Sequence, residues 1–215
     1  MRPPRPPAAG ETHVWVVSTA LLAPHDAALR SLCDLRAPDR EAGRGFLRLL
    51  LGGYRDADPQ DVGIERRCPA CGGPHGPPIS GDLRISVSYT PGRVAYALAR
   101  SAVGIDIELV RANFPWRSVA ALVLAPEEFE RVHRVAPRDR AVAFLRAWTR
   151  REALGKATGA ALLDPCRGVD RSLRARPLEL PMPYVASVAL TTPRLACHSL
   201  TQALHVSSAR QSSCD

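Results

Sequence analysis

The chain has 215 residues, 46% of them hydrophobic, which suffices for one large domain or two small ones with a real core and excludes a disordered chain. A formal net charge of +8 favours an acidic partner, while an aromatic content of only 5% argues against nucleic-acid binding by base stacking. No apolar run reaches the length of a membrane span, and the Pro-rich start Met1-Arg2-Pro3-Pro4-Arg5-Pro6-Pro7 has no apolar signal core, so the chain reads as cytoplasmic.

Residues 1–10 and 206–215 show no periodicity and are expected to be disordered. His13 to Ala20 alternates as a first strand. Arg40 to Tyr54 predicts a helix, with Phe46, Leu47, Leu50 and Leu51 on its apolar side and Gly52-Gly53 as its stop. Arg44 and Arg48 lie one turn apart on that helix, either as solvated charges or as a phosphate clamp. Cys68-Pro69-Ala70-Cys71 followed by His75 could supply three metal ligands. A structural zinc site normally takes four from two spaced pairs, so a stiff turn with reduced thiols is the preferred reading.

Leu83 to Ala99 reads as a hairpin about Thr90-Pro91-Gly92, with Ser86, Ser88 and Thr90 on one strand face. A third strand, Val103 to Val110, follows closely and is expected to pair next to the hairpin. Within it, Gly104-Ile105-Asp106-Ile107-Glu108 places Asp106 and Glu108 on one face and the isoleucines on the other. Two carboxylates at i and i+2 repel each other unless a cation sits between them, and a hard divalent ion such as Mg²⁺ takes oxygen ligands. The bland alternative is a solvated polar face.

Ser118 to Val132 predicts a helix, a break, and a second helix starting at Pro126 with acids in its first turn. Arg131, Arg134, Arg138 and Arg140 form a basic patch, either a solvated face or a docking surface for an acidic protein. Ala141 to Gly159 is the strongest helix signal. Trp148, Glu152 and Lys156 stand four apart on one face of it. Read alone, Glu152 and Lys156 form an ordinary i,i+4 surface pair. The chain has 28 arginines and one lysine, Lys156, which raises the chance that this position needs an ammonium. Late strands are expected at Val185 to Leu190 and Leu195 to Leu200.

Together, Asp106 and Glu108 on a strand and Glu152 and Lys156 on a helix describe a metal-dependent phosphoryl site: three carboxylates for Mg²⁺, cations for phosphate oxygens. At these residues the sequence resembles the 4′-phosphopantetheinyl transferases of the surfactin-synthetase-activating type. The likeness covers most of residues 40–160. Its two signature motifs stand here as Gly104-Ile105-Asp106-Ile107-Glu108 and Trp148-Thr149-Arg150-Arg151-Glu152-Ala153-Leu154-Gly155-Lys156.

The resemblance implies an α+β fold of two similar halves related by a pseudo-twofold, each a small antiparallel sheet packed on a long helix. The halves would be residues 1–101, on the coenzyme A side, and 102–215, with the metal-binding motifs. It implies transfer of 4′-phosphopantetheine from coenzyme A to a serine of an acidic acyl or peptidyl carrier protein by a monomer. Asp106, Glu108 and Glu152 would hold Mg²⁺, and Glu152 would help deprotonate the serine. Lys156 would serve both catalysis and coenzyme A binding, alongside Arg44, His75, Ser88, Tyr89 and Arg151. Three stretches depart from the pattern: Arg151 replaces a lysine, Gly76-Pro77-Pro78 replaces Gly-Lys-Pro, and Ser86-Val87-Ser88-Tyr89-Thr90 replaces Asn-x-Ser-His-Ser. These changes bear on the nucleotide contacts more than on the metal site. The alternatives are another Mg²⁺-dependent phosphoryl-transfer enzyme, or a carrier-binding module without activity.

Overall fold

The structure is a computed structural model that describes residues 5–22, 25, 29, 38–66, 68, 71–74, 76–111, 114–159, 172–191 and 193–199. The fold is α+β. Its elements run β1 (Glu11–Ser18), α1 (Thr19–Leu22), α2 (Pro38–Arg55), β2 (Glu65–Arg66), β3 (Pro78–Ser80), β4 (Leu83–Thr90), β5 (Arg93–Ala99) and β6 (Val103–Leu109). Then come α3 (Trp116–Val123), α4 (Pro126–Arg134), α5 (Arg140–Thr158), β7 (Arg174–Leu178), β8 (Tyr184–Leu190) and β9 (Arg194–Ser199).

A six-stranded sheet has the order β2-β3-β4-β5-β1-β9, and a three-stranded sheet the order β6-β8-β7. All pairings are antiparallel except β1 with β9, which is parallel. The larger sheet therefore draws its strands from both ends of the chain. The expectation that β6 pairs beside the β4–β5 hairpin is corrected here: β6 pairs with β8 instead. Spacing along the sequence shows that strands are neighbours but not which sheet each joins.

The strand pattern explains the layering. In β5, Val94, Tyr96 and Leu98 face a core that α2 fills with Phe46, Leu47, Leu50 and Leu51. Each such side chain stabilises the fold by about 1.5–3 kcal/mol when fully buried. The alternate β5 residues, Ala95, Ala97 and Ala99, face Ile105, Ile107, Val188 and Leu190 of the smaller sheet. Small residues on this face let the two sheets approach closely. On the outer side of the smaller sheet Val185 packs with Phe144 and Leu145 of α5. Helix α5 ends where predicted: Gly159 adopts φ 68° and its N–H caps the Gly155 carbonyl.

Residues 5–10, expected to be disordered, are tied to the fold. Arg5 pairs with Glu11 at 2.7 Å, and Arg100 Nε donates to the Pro7 carbonyl at 3.1 Å. Arg100 also pairs with Asp82. The expected tail at 206–215 and His75 both lie outside the described residues. Strands β2, β3 and β7 had no clear signal, being 2, 3 and 5 residues long, with prolines in the last two.

Candidate functional site

The site lies where β6 meets α5. The first residue of its strand motif is glycine for a steric reason. A Cβ on Gly104 would lie 1.9 Å from the Ala153 carbonyl oxygen and 2.7 Å from the Ala157 nitrogen. No side chain fits there, so the strand backbone rests directly on the helix. That contact brings the carboxylates of one element against the charged face of the other.

Ile105 and Ile107 are fully buried between the sheets, and Asp106, on the opposite face, is 4% exposed. Asp106 Oδ1 accepts hydrogen bonds from Lys156 Nζ at 2.7 Å and from Ser88 Oγ at 2.8 Å. Lys156 Nζ also donates to the Ile105 carbonyl at 3.1 Å. The lysine thus bridges from helix to strand, and its close acidic partner is Asp106, not the Glu152 one turn away on its own helix. The reading of an i,i+4 surface pair is corrected accordingly: the side chain reaches inward because a buried carboxylate needs a counter-charge.

Glu108 follows on the same face and is half-buried. The Trp148 side chain of α5 hydrogen-bonds to it. Burial pushes the carboxyls of Asp106, Glu108 and Glu152 above their ordinary range. For Asp106, Lys156 and Ser88 offset only part of this. Glu108 is raised further by the Asp106 charge, and Glu152 likewise by Asp106. Three carboxylates that repel one another through a partly buried region form an acceptor-rich, electron-rich set.

Among the described residues, no group of three His, Cys, Asp or Glu side chains stands assembled as a metal cage. Two features nevertheless fit a hard divalent cation. Asp106 Oδ2 is buried without a hydrogen-bond partner, which is costly unless something positive satisfies it. The mutual repulsion of Asp106, Glu108 and Glu152 would also be relieved by an ion of the kind that takes carboxylate oxygens.

The remaining residues named from sequence are distributed as follows. Arg151 Nη1 pairs with Glu128 Oε2 of α4 at 2.8 Å, and the same oxygen accepts the Ala125 N–H at 3.2 Å. Arg44 is half-buried on α2. Arg48 is half-buried: its Nη1 donates to the carbonyls of Pro59, Gln60 and Val62, the last at 2.8 Å, fastening the loop after α2. Tyr89 and Ser88 occupy opposite faces of β4. Ser88 meets Asp106, whereas the Tyr89 ring lies against Gly43 of α2, where an added Cβ would come within 2.7 Å of its Cε1. Gly73 N–H points at Cys71 Sγ across 3.4 Å within the cysteine turn.

Sequence reasoning missed three features. The first is the set of hydroxyls on β4. Ser86 Oγ accepts the Ile105 N–H at 3.0 Å, Ser88 Oγ the Ile107 N–H at 3.4 Å, and Thr90 Oγ1 the Leu109 N–H at 3.0 Å. Their period-two spacing was visible, but not that it matched the outward N–H groups of β6. The second is the link between Trp148 and Glu108, which joins the two motifs. The third is a cavity of about 270 Å³ bordering Glu108, with Leu109, Phe114, Val119, Phe144 and Trp148 among its walls.

Comparison with known proteins agrees with the motifs. Residues 102–191 match the family model described as the 4′-phosphopantetheinyl transferase superfamily. This stretch contains both motifs, on β6 and α5. The chain is similar to the 4′-phosphopantetheinyl transferase HetI of Nostoc sp., 32% identical over 125 residues, which is 55% of this chain and 50% of that protein. It is also similar to the 4′-phosphopantetheinyl transferase AcpT of Salmonella typhimurium, 35% identical over 78 residues, 36% of this chain and 41% of that protein. The chain spans about half the length of the curated relatives it matches. No helix among the described residues is long and apolar enough to cross a membrane.

Proposed function

We propose that this protein is a Mg²⁺-dependent 4′-phosphopantetheinyl transferase of the surfactin-synthetase-activating type, working as a cytoplasmic monomer. It would move the phosphopantetheine arm of coenzyme A to a serine of an acyl or peptidyl carrier protein, in polyketide, nonribosomal peptide or fatty acid synthesis. The observation that carries the reading is the convergence of the two motifs on one buried locus, with Asp106 of the first paired to Lys156 of the second at 2.7 Å.

In this reading Asp106, Glu108 and Glu152 would hold the magnesium ion, which offsets the charge of the pyrophosphate when bound. Lys156 has a ready exchange of partners: as coenzyme A enters, its ammonium passes from Asp106 to a phosphate oxygen. Arg44, Arg151, His75 and Tyr89 would complete the coenzyme A side, while the Ser88 hydroxyl is committed to Asp106. The cavity beside Glu108, walled by aromatic and aliphatic groups, suits the uncharged pantetheine arm. Glu152 would accept the serine proton, directly or through water. A carboxyl held above its ordinary range by burial and by Asp106 is better matched to that task than a solvated one. The serine oxygen then bonds to the β-phosphorus, the bond from that phosphorus to the bridging oxygen breaks, and 3′,5′-ADP leaves. Arg131, Arg134 and Arg138, exposed on and just after α4, would meet the acidic carrier.

The test is to incubate the protein with coenzyme A, Mg²⁺ and an apo carrier protein and to weigh the carrier. A mass gain of one phosphopantetheine, lost when Mg²⁺ is chelated, is expected. An unmodified carrier across several carrier types would sink the reading.

A further inference from the structure

The hydroxyl ladder between β4 and β6 carries an inference beyond the transferase reading, resting on its assignment of Asp106 as a metal ligand. Strand β6 is an edge strand of the smaller sheet, so its outward N–H groups have no strand to pair with. Ser86, Ser88 and Thr90, at alternate positions of β4, accept the N–H groups of Ile105, Ile107 and Leu109 in turn. The larger sheet thereby supplies side-chain oxygens where a neighbouring backbone would otherwise stand, and the two sheets are fixed in register at the site.

The middle rung differs from the others. Ser88 Oγ accepts from the Ile107 N–H, so its single hydroxyl hydrogen is available to donate, and it donates to Asp106 Oδ1 at 2.8 Å. Lys156 supplies the second donor to that same oxygen. Oδ1 is thus doubly engaged while Oδ2 has no partner and is buried. A carboxylate gripped by one oxygen from two directions holds its other oxygen in place, and Ser88 keeps that grip when Lys156 turns to a phosphate. Ser86 and Thr90 make the backbone contact with no hydrogen bond to a carboxylate among the described residues.

We propose that Ser88 is a positioning residue, which sets the orientation of Asp106 so that Oδ2 is presented to the cation, while Ser86 and Thr90 serve only to join the sheets. A group that orients a metal ligand from behind typically changes metal affinity 10–100-fold when removed.

The experiment uses the full chain and MnCl₂ alone, with no coenzyme A. Bound Mn²⁺ is followed by the loss of the free-ion electron paramagnetic resonance signal for wild type, Ser88→Ala, Ser86→Ala and Thr90→Ala. Urea midpoints of the same four proteins report the contribution of each rung to stability. The expected result is Mn²⁺ affinity at least about tenfold weaker in Ser88→Ala, and within about twofold of wild type in Ser86→Ala and Thr90→Ala, although all three variants lose comparable stability. Equal weakening in all three variants, or no weakening in Ser88→Ala, overturns the proposal. Wild-type protein that takes up no Mn²⁺ overturns it as well, while carrier modification by the same preparation would leave the transferase reading standing.

Discussion

Lys156 and Asp106 form a contact of 2.7 Å in which the carboxylate is almost wholly buried and the ammonium is about one-third exposed. The partner that the lysine finds lies fifty residues away in sequence, on a different element. Removing one member of such a pair leaves a buried charge without its counter-charge, which costs about 3–5 kcal/mol in fully buried pairs. The partial exposure of Lys156 reduces this, so Lys156→Ala is expected to lower stability by roughly 2 kcal/mol. Asp106→Asn in the Lys156→Ala background should restore much of the loss, because the orphaned charge is then gone. Urea denaturation of the four proteins of this cycle measures it. Additive losses would show that the pair is not coupled.

The same lysine, if it serves coenzyme A, should also weaken coenzyme A binding when replaced. A charge-assisted hydrogen bond contributes about 1.5–3 kcal/mol, so Lys156→Ala should raise the dissociation constant at least tenfold. Lys156→Arg should recover only part, since a planar fork does not reproduce a compact ammonium between the Ile105 carbonyl and the Asp106 carboxylate. Calorimetric titration of coenzyme A decides this independently of turnover.

Much of the site was legible in the sequence because strand and helix periodicities fix side-chain direction locally. Asp106 and Glu108 fell on one strand face, and Trp148, Glu152 and Lys156 on one helix face, as the structure has them. The pairing of those faces was not legible, because the feature that allows it, Gly104 against Ala153, is a close approach between elements fifty residues apart. For the same reason Ser88 was visible as a strand hydroxyl and not as a partner of Asp106. The parallel placement of β9 beside β1 depends on the whole chain path and leaves no local mark.

Gly104 gives a direct steric prediction. Gly104→Ala would drive a methyl carbon to 1.9 Å from the Ala153 carbonyl, a backbone atom of a packed helix that cannot turn aside. Over-packing of a close contact costs about 1–3 kcal/mol, and here the strand must lift away from α5, carrying Asp106 from Lys156. Turnover should fall more than stability alone explains. Gly63→Ala, where nothing lies within 4 Å of the added carbon, is the matched control and should be nearly neutral. Thermal melts of both variants, with rates measured well below the transition, make the comparison.

Asp106→Asn and Glu152→Gln should each abolish most transfer while the protein stays folded. Both substitutions keep shape and remove one charge from a set whose members already repel one another. Relief of that repulsion should leave stability unchanged or slightly higher in Glu152→Gln. Near-normal rates at saturating Mg²⁺ in either variant would remove that residue from the proposed metal ligands. Circular dichroism on the same samples separates loss of chemistry from loss of fold.

The last prediction concerns pH and lies away from the site. His13 is 2% exposed on β1, and its Nδ1 lies 2.8 Å from the Tyr54 hydroxyl, which also accepts the Trp15 indole N–H at 2.9 Å. The Tyr54 hydroxyl can take either role towards Nδ1, according to the tautomer of the ring, so the contact serves the neutral imidazole without fixing which nitrogen carries its hydrogen. Burial, then the neighbouring His198, pushes the His13 imidazole down to about 4, with Glu11 at 3.6 Å working the other way. His198 is itself lowered by burial. In the unfolded chain the histidine titrates near its ordinary value of about 6.5. Between these values the unfolded state binds a proton that the folded state refuses, so acidification favours unfolding. Stability should be fully present above about pH 6.5, fall as pH drops towards 4, and lose on the order of 3 kcal/mol at most from this residue. Glu11 adds a second loss lower still: its Ala8 and Arg5 hydrogen bonds hold it down to about 2, so its contribution fades below its ordinary range. His13→Gln should flatten the slope of stability against pH between 7 and 5, leaving His198 to act in the same direction and the raised carboxyls of Asp106, Glu108 and Glu152 in the opposite one. Urea midpoints at pH 7, 6 and 5 for both proteins give the slopes. An unchanged slope in the variant would show that His13 does not carry the proton.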